Sequence, residues 1–263
     1  MPKAYILPSM AIYALGSSPK TYLMDQNHTK VSACPRAVFS TSRVIAEYRG
    51  PLFRVSSMTA ERDIMEGFDT SMPMISVWYD QSGCGRHAIQ PVHARRPMLL
   101  SNLVDFKNNR FLMLPDKTIP AGDEPFTIMF KHWDIMNPVG GVIGSGEYNA
   151  HNAVNAIRRN GNNYVNYFWG NDMQTEANSF REGNVVTFAI KTKDHRTQHS
   201  AFVNGILNAT RQDVIGRYSS PINTTIGKTY SENEYLNGSL EFLYVLDEFT
   251  EHRDVALDSG AWS

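Results

Sequence analysis

From about residue 110 onward, short apolar runs alternate with turn-forming residues at regular spacing. Residues 111–114, 126–133, 140–146, 185–191, 199–203, 222–226 and 240–246 each read as a strand: β-branched and aromatic positions between Gly, Pro, Asn and Asp. Residues 152–157 and 164–169 read as a hairpin turning at Asn160-Gly161. Asn204-Gly205 is the strongest hairpin signal, because Asn and Gly both accept the positive φ of a tight turn. Strands at this spacing predict a two-sheet antiparallel sandwich.

The first half is less regular. Val44, Ile45 and Tyr48 have helical spacing, Ser40 or Thr41 could cap a short helix, and Gly50-Pro51 would stop it. Residues 52–55 alternate like a strand, and 61–68 read as a loop. The stretch 77–87 holds the sharpest local signal. Trp78 ends a buried strand, and Asp80, Gln81, Ser82, Gly83 and Gly85 then form a tight polar corner. There the glycines supply positive φ and the short polar side chains bond nearby N–H groups. The corner lacks the glycine spacing and lysine of a phosphate-binding loop.

Residues 1–33 show no clear period. Apolar runs containing Tyr5, Ile6, Leu7, Ile12, Tyr13 and Leu15 are interrupted by Pro8 and Pro19. They are expected to form an N-terminal arm held by the sandwich edge or by a neighbouring subunit, with residues 34–263 forming the sandwich domain.

Composition narrows the function classes. A net charge of −1 argues against a broad nucleic-acid footprint, and the basic run His93-Ala94-Arg95-Arg96 is too short to change that. The 2 cysteines, Cys34 and Cys84, exclude a disulfide framework and leave one bridge possible. Pro8 and residues 17–20 break the apolar start before a signal-peptide core, and no stretch approaches the roughly 20 apolar residues of a membrane span. Synthesis in the cytoplasm is therefore expected, and the sequons at Asn27, Asn208, Asn223 and Asn237 read as chance matches.

Three stretches resemble laminin-G/concanavalin A-like jelly-roll modules: Tyr167-Phe168-Trp169-Gly170-Asn171-Asp172; residues 185–190 through Ala201-Phe202-Val203-Asn204-Gly205; and Thr225-Ile226-Gly227-Lys228 followed by residues 236–244. Cys34-Pro35-Arg36, Tyr48-Arg49-Gly50-Pro51-Leu52 and Tyr79-Asp80-Gln81-Ser82-Gly83, within residues 34–90, resemble the start of the catalytic domain of family-54 α-L-arabinofuranosidases. That domain is also a concanavalin A-like sandwich, so both resemblances imply the same fold. The family's nucleophile segment and adjacent cysteine pair have no counterpart here, which implies a domain without that activity.

Candidate chemistry is sparse. A glycosidase needs two facing carboxyl groups, and Glu147, Asp172, Glu176, Glu232, Glu234 and Glu241 are the acids of the second half weighed for that task. Glu241, in a strand, reads as an outward solvated acid. His195 and His199 are four apart, but on a hairpin they do not share a helix face. No cofactor motif is present; Asp105, Asn108, Asn171 and Asp172 offer oxygen ligands for Ca2+ without a motif to organise them. Trp133 and Trp169 could stack on sugar rings, and Tyr148, Trp169, Asn171 and Asp172 combine apolar and hydrogen-bonding groups as glycan sites do. The expectation is an all-β concanavalin A-like jelly roll with a short helix and an N-terminal arm. It would serve as a non-catalytic module with protein neighbours in an assembly such as a virion, where it would be a minor capsid protein. The alternatives are a glycan-binding module and an arabinofuranosidase-like hydrolase.

Overall fold

The structure, a computed structural model, describes residues 12–14, 21–24, 30–31, 35–45, 48–67, 69–121, 124–147, 150–193, 196–213, 222–229 and 234–247. Its strands in chain order are β1 Ile12–Ala14, β2 Thr21–Met24, β3 Lys30–Val31, β4 Pro35–Ser40, β5 Phe53–Ser56, β6 Glu61–Ile64, β7 Met74–Trp78 and β8 Ala88–Ile89. They continue as β9 Met98–Leu100, β10 Leu103–Asp105, β11 Leu112–Met113, β12 Phe126–Trp133, β13 Gly141–Gly146, β14 Val154–Asn160 and β15 Asn163–Tyr167. The last are β16 Met173–Gln174, β17 Val185–Lys193, β18 Arg196–Val203, β19 Ile206–Asp213, β20 Thr225–Ile226 and β21 Ser239–Leu246.

Two antiparallel sheets form the sandwich. One runs β19–β18–β17–β12–β21–β4; the other runs β16–β15–β14–β13–β20–β11–β8–β7–β5–β6. The β9–β10 hairpin joins them, pairing Met98 with Met74 on one side and Val104 with Leu240 on the other. Alternation decides what is inside: Phe126, Ile128 and Phe130 of β12 and Val186, Phe188 and Ile190 of β17 meet Trp78, Ile143, Ile157, Tyr164 and Phe168 in one core. This is the all-β two-sheet sandwich that the strand pattern predicts.

The opposite face of the first sheet carries a second apolar layer, where Val44 and Ile45 pack with Met129, Phe242 and Tyr244. The short helix expected around residues 40–48 is absent from the described part of that stretch. There the chain makes bends and an isolated bridge, and the helical turn of the described chain is instead a 3-10 turn at His93–Arg95. The reason lies in Gln81. Its amide accepts the N–H of Val44 and donates to the carbonyl of Ser42, taking backbone groups that a helix would use internally. Residues 61–64, read as loop, form a polar edge strand because Arg54 on β5 binds Asp63 across the pair at 2.8 Å. The β14–β15 hairpin turns one residue later than expected, with Asn160 opposite Asn163. Asn204 (φ 51°) and Gly205 (φ 77°) form the predicted two-residue turn.

The first three strands form their own meander, Ile12 opposite Leu23 and Leu23 opposite Val31. Ile12 and Tyr13 of the expected arm lie on β1; Tyr5, Ile6, Leu7 and Leu15 fall outside the described residues.

Candidate functional site

The corner after β7 is structural. Asp80, only 1% exposed, accepts the N–H groups of Val38 and Ser82 on one carboxylate oxygen and the N–H of Arg86 and the hydroxyl of Ser82 on the other. Gly83 (φ 84°) and Gly85 (φ 70°) turn the chain as their sequence context predicts. Trp78 stacks on Phe53 and donates its indole N–H to the carbonyl of Ser40 at 3.2 Å. The corner thus rivets β7 to β4, and its polar groups are consumed in doing so.

The expected glycan residues are largely spent on local structure. Asp172 accepts the N–H of Phe168 at 2.8 Å and closes the turn after β15. Asn171 donates to Asn152, and Trp169 packs half-buried against the cluster of Val154, Ala156, Val165 and Tyr167. Tyr148 lies outside the described residues. Trp133 donates its indole N–H to Glu241, which also binds Lys131 at 3.0 Å; the acid read as outward and solvated is therefore paired.

A groove that the sequence does not announce lies on the outer face of the second sheet. Cross-strand register places Val77, Ile89, Met113, Thr225, Gly144, Ala156 and Tyr167 in one transverse row. A loop covers the Gly144–Tyr167 end. At Gly141 a Cβ would strike the backbone of Thr229 and Glu234, so glycine is what lets this loop lie directly on β13. Glu234 holds it there, accepting from Arg158, from the Tyr167 hydroxyl at 3.1 Å and from the Thr229 hydroxyl at 2.5 Å. Burial, with the Glu234 charge adding to it, raises the Tyr167 phenol well above its ordinary value and keeps it a donor.

The rest of the row is open. Ile89 is 45% exposed, and Met113 is half-buried. Beside them a groove of about 380 Å³ is lined by Phe111, Met113, Leu114, Asp116, Asn223, Thr224, Thr225 and Lys228. The loop supplies one wall through the bridge between Lys228 and Tyr235. Tyr235 lies tilted against Phe111 at 6.3 Å, and the Lys228 ammonium sits 4.4 Å from the centre of the Phe111 ring. At the other end Asp116 accepts the N–H of Asn223 at 3.2 Å. An apolar floor between a cation and an acid–amide pair can hold a ligand with an apolar face and a hydroxylated edge.

A second hollow of about 510 Å³, lined by Lys107, Asn108, Asn109, Met136, Asn137 and Asn237, has no aromatic wall. Its amides are largely engaged: Asn237 accepts the N–H of Asn109, and Asn137 accepts that of Val139. Among the described residues, no three His, Cys, Asp or Glu side chains gather where a metal ion could sit. Asp105 accepts the Ser239 hydroxyl, and His199 packs in the core near Phe168 and Phe188; His195 is outside the described residues.

No protein-family model and no curated protein matches the chain. Among solved structures it is similar to the NanB sialidase of Streptococcus pneumoniae (17% identity, TM-score 0.44), over 57% of this chain and 26% of that one. It is similar to the CBM40 module of a Ruminococcus gnavus IT-sialidase, determined bound to α2,3-sialyllactose (14% identity, TM-score 0.41), over 52% and 83% of the two chains. It is also similar to a Trypanosoma rangeli sialidase (13% identity, TM-score 0.49), over 69% and 30%. The chain spans less than a third of the length of the two sialidases. What the geometry above defines is a class, an antiparallel β-sandwich module of jelly-roll type with an open groove on one sheet. The resemblance of residues 34–90 to the arabinofuranosidase domain rests on the residues of that stretch alone.

Proposed function

We propose that this chain is a carbohydrate-binding module and that the glycan lies in the groove of Phe111, Met113, Asp116, Asn223 and Lys228. One observation carries the reading: apolar side chains, the exposed Ile89 and the half-buried Met113, lie beside hydrogen-bonding groups at both ends of one groove. A sugar ring presents an apolar C–H face and a rim of hydroxyls, so this is the surface it needs, and about 380 Å³ is the scale of a small-ligand cleft. Binding fits better than hydrolysis, because Asp116 is the one carboxylate among the described lining residues and glycoside cleavage uses two.

A glycan array followed by titration calorimetry tests this. Asn223→Ala and Asp116→Ala should each weaken binding of the array hit about tenfold, the worth of a lost hydrogen bond in a desolvated site. Trp169→Ala should leave binding unchanged. An array without hits, or binding lost in Trp169→Ala and kept in the groove variants, would reject the assignment.

A further inference from the structure

The basic run at 93–96 has a counterpart in the fold. The 3-10 turn His93–Arg95 carries Arg95 to the Phe111 ring, its guanidinium carbon 5.7 Å from the ring centre, while the Lys228 ammonium lies 4.4 Å from the same centre. Two cations therefore share one groove-lining aromatic ring. A ring quadrupole attracts the Arg95 guanidinium without accepting its N–H donors.

The use made of the other arginines sharpens the point. Arg36, Arg43, Arg54, Arg62, Arg96 and Arg158 pair with carboxylates. Arg49, Arg86, Arg159, Arg181 and Arg211 donate to backbone carbonyls. Of the arginines whose side chains are described, Arg95 and Arg110, next to Phe111 in sequence, are left with no hydrogen bond or ion pair from the side chain. The guanidinium that the fold brings to the groove's aromatic wall is thus one whose five donors no protein group takes.

We infer that the groove is selective for an acidic glycan, one whose carboxylate or sulfate is received by Arg95 and Lys228 at the Phe111 end while its hydroxyls meet Asp116 and Asn223. This rests on the glycan reading and adds the charge of the ligand and its direction in the groove. Guanidinium and ammonium together suit an oxyanion, which can take paired N–H donors. Asp116 at the far end disfavours a polyanion whose charge runs the length of the groove, and the chain's net charge of −1 agrees.

The test compares charged and neutral glycans of the same skeleton by calorimetry on the full chain. Glucuronic acid is set against its methyl ester for the carboxylate, and galactose 6-sulfate against galactose for the sulfate. At least one acidic member should bind about tenfold tighter than its neutral partner, with the advantage falling as salt rises. Arg95→Gln and, separately, Lys228→Gln should erase that advantage while thermal unfolding stays that of the parent chain. Equal binding of the charged and neutral partners, or an Arg95→Gln variant that keeps the preference, overturns the charge assignment and leaves the glycan reading standing. Absence of binding to both pairs and to the whole array removes both. Tighter binding of a single-stranded oligonucleotide than of any acidic glycan would assign the surface to nucleic acid instead.

Discussion

Asp80 and Val38 are joined by a hydrogen bond of 2.9 Å from the Val38 backbone N–H to the Asp80 carboxylate, which ties the corner after β7 to β4. The same carboxylate, itself buried, is filled by donors from Ser82 and Arg86. Asp80→Asn keeps the shape but replaces one acceptor oxygen with an N–H donor, so at least one buried backbone N–H faces another donor. A loss of about 3 kcal/mol in urea unfolding is expected, because an unsatisfied buried group and a charge-assisted bond are lost together. A variant as stable as the parent would show that the corner tolerates the missing acceptor.

Trp78 is fully buried between Phe39 and Phe53. Trp78→Ala opens a large cavity at the junction of corner and core and should cost roughly 3–5 kcal/mol. Calorimetric unfolding measures it, and a change under about 1 kcal/mol would contradict the burial.

Glu234 and Arg158 hold the loop that forms one wall of the groove. Glu234→Gln leaves the partly buried guanidinium without its counter-charge and should cost about 3 kcal/mol. The array hit should also bind more weakly, because Lys228 and Tyr235 lie on that loop. Removing both charges in Arg158→Met/Glu234→Gln should recover part of the stability, which a double-mutant cycle reads. Full additivity of the two changes would mean that the pair does not hold the loop.

His132 is buried beside Tyr164, its Nε2 2.6 Å from the hydroxyl and its ring stacked on Phe180. Burial, with Arg159 adding a little, pulls it from 6.5 down to about 3. The unfolded chain takes up this proton near its ordinary value, whereas the folded chain does so only near the depressed one. Between the two the unfolded state binds more protons, so stability falls as pH falls, by up to about 1.4 kcal/mol per pH unit from this group. His132→Phe removes the titration and leaves Tyr164 the Arg181 carbonyl as acceptor. Urea unfolding of both proteins across mildly acidic pH should show the parent losing stability faster; parallel curves would mean that His132 titrates at its ordinary value when folded.

Much of this molecule is local chemistry and is legible as such. Period-2 alternation marks β12, β17 and β21 because a strand's faces are set by its own residues. Asn204-Gly205 marks its turn, and Asp80, Gly83 and Gly85 mark the corner, because φ preference and short-range bonding belong to those residues. The sequence by itself therefore determined an antiparallel sandwich and its rivets. What Gln81 does to residues 42–44 could not be read there, since a side chain from the distant corner after β7 removes the backbone groups of a helix that spacing favours. The groove was equally hidden. Met113 sits between Ile89 and Thr225 only because β11 pairs with β8 and β20, and Arg95 and Lys228 each reach the Phe111 ring only once those strands are in register. Strand pairing among distant segments is decided by the packing of the whole core, so the tertiary structure alone chose which of many ordinary polar residues share one surface.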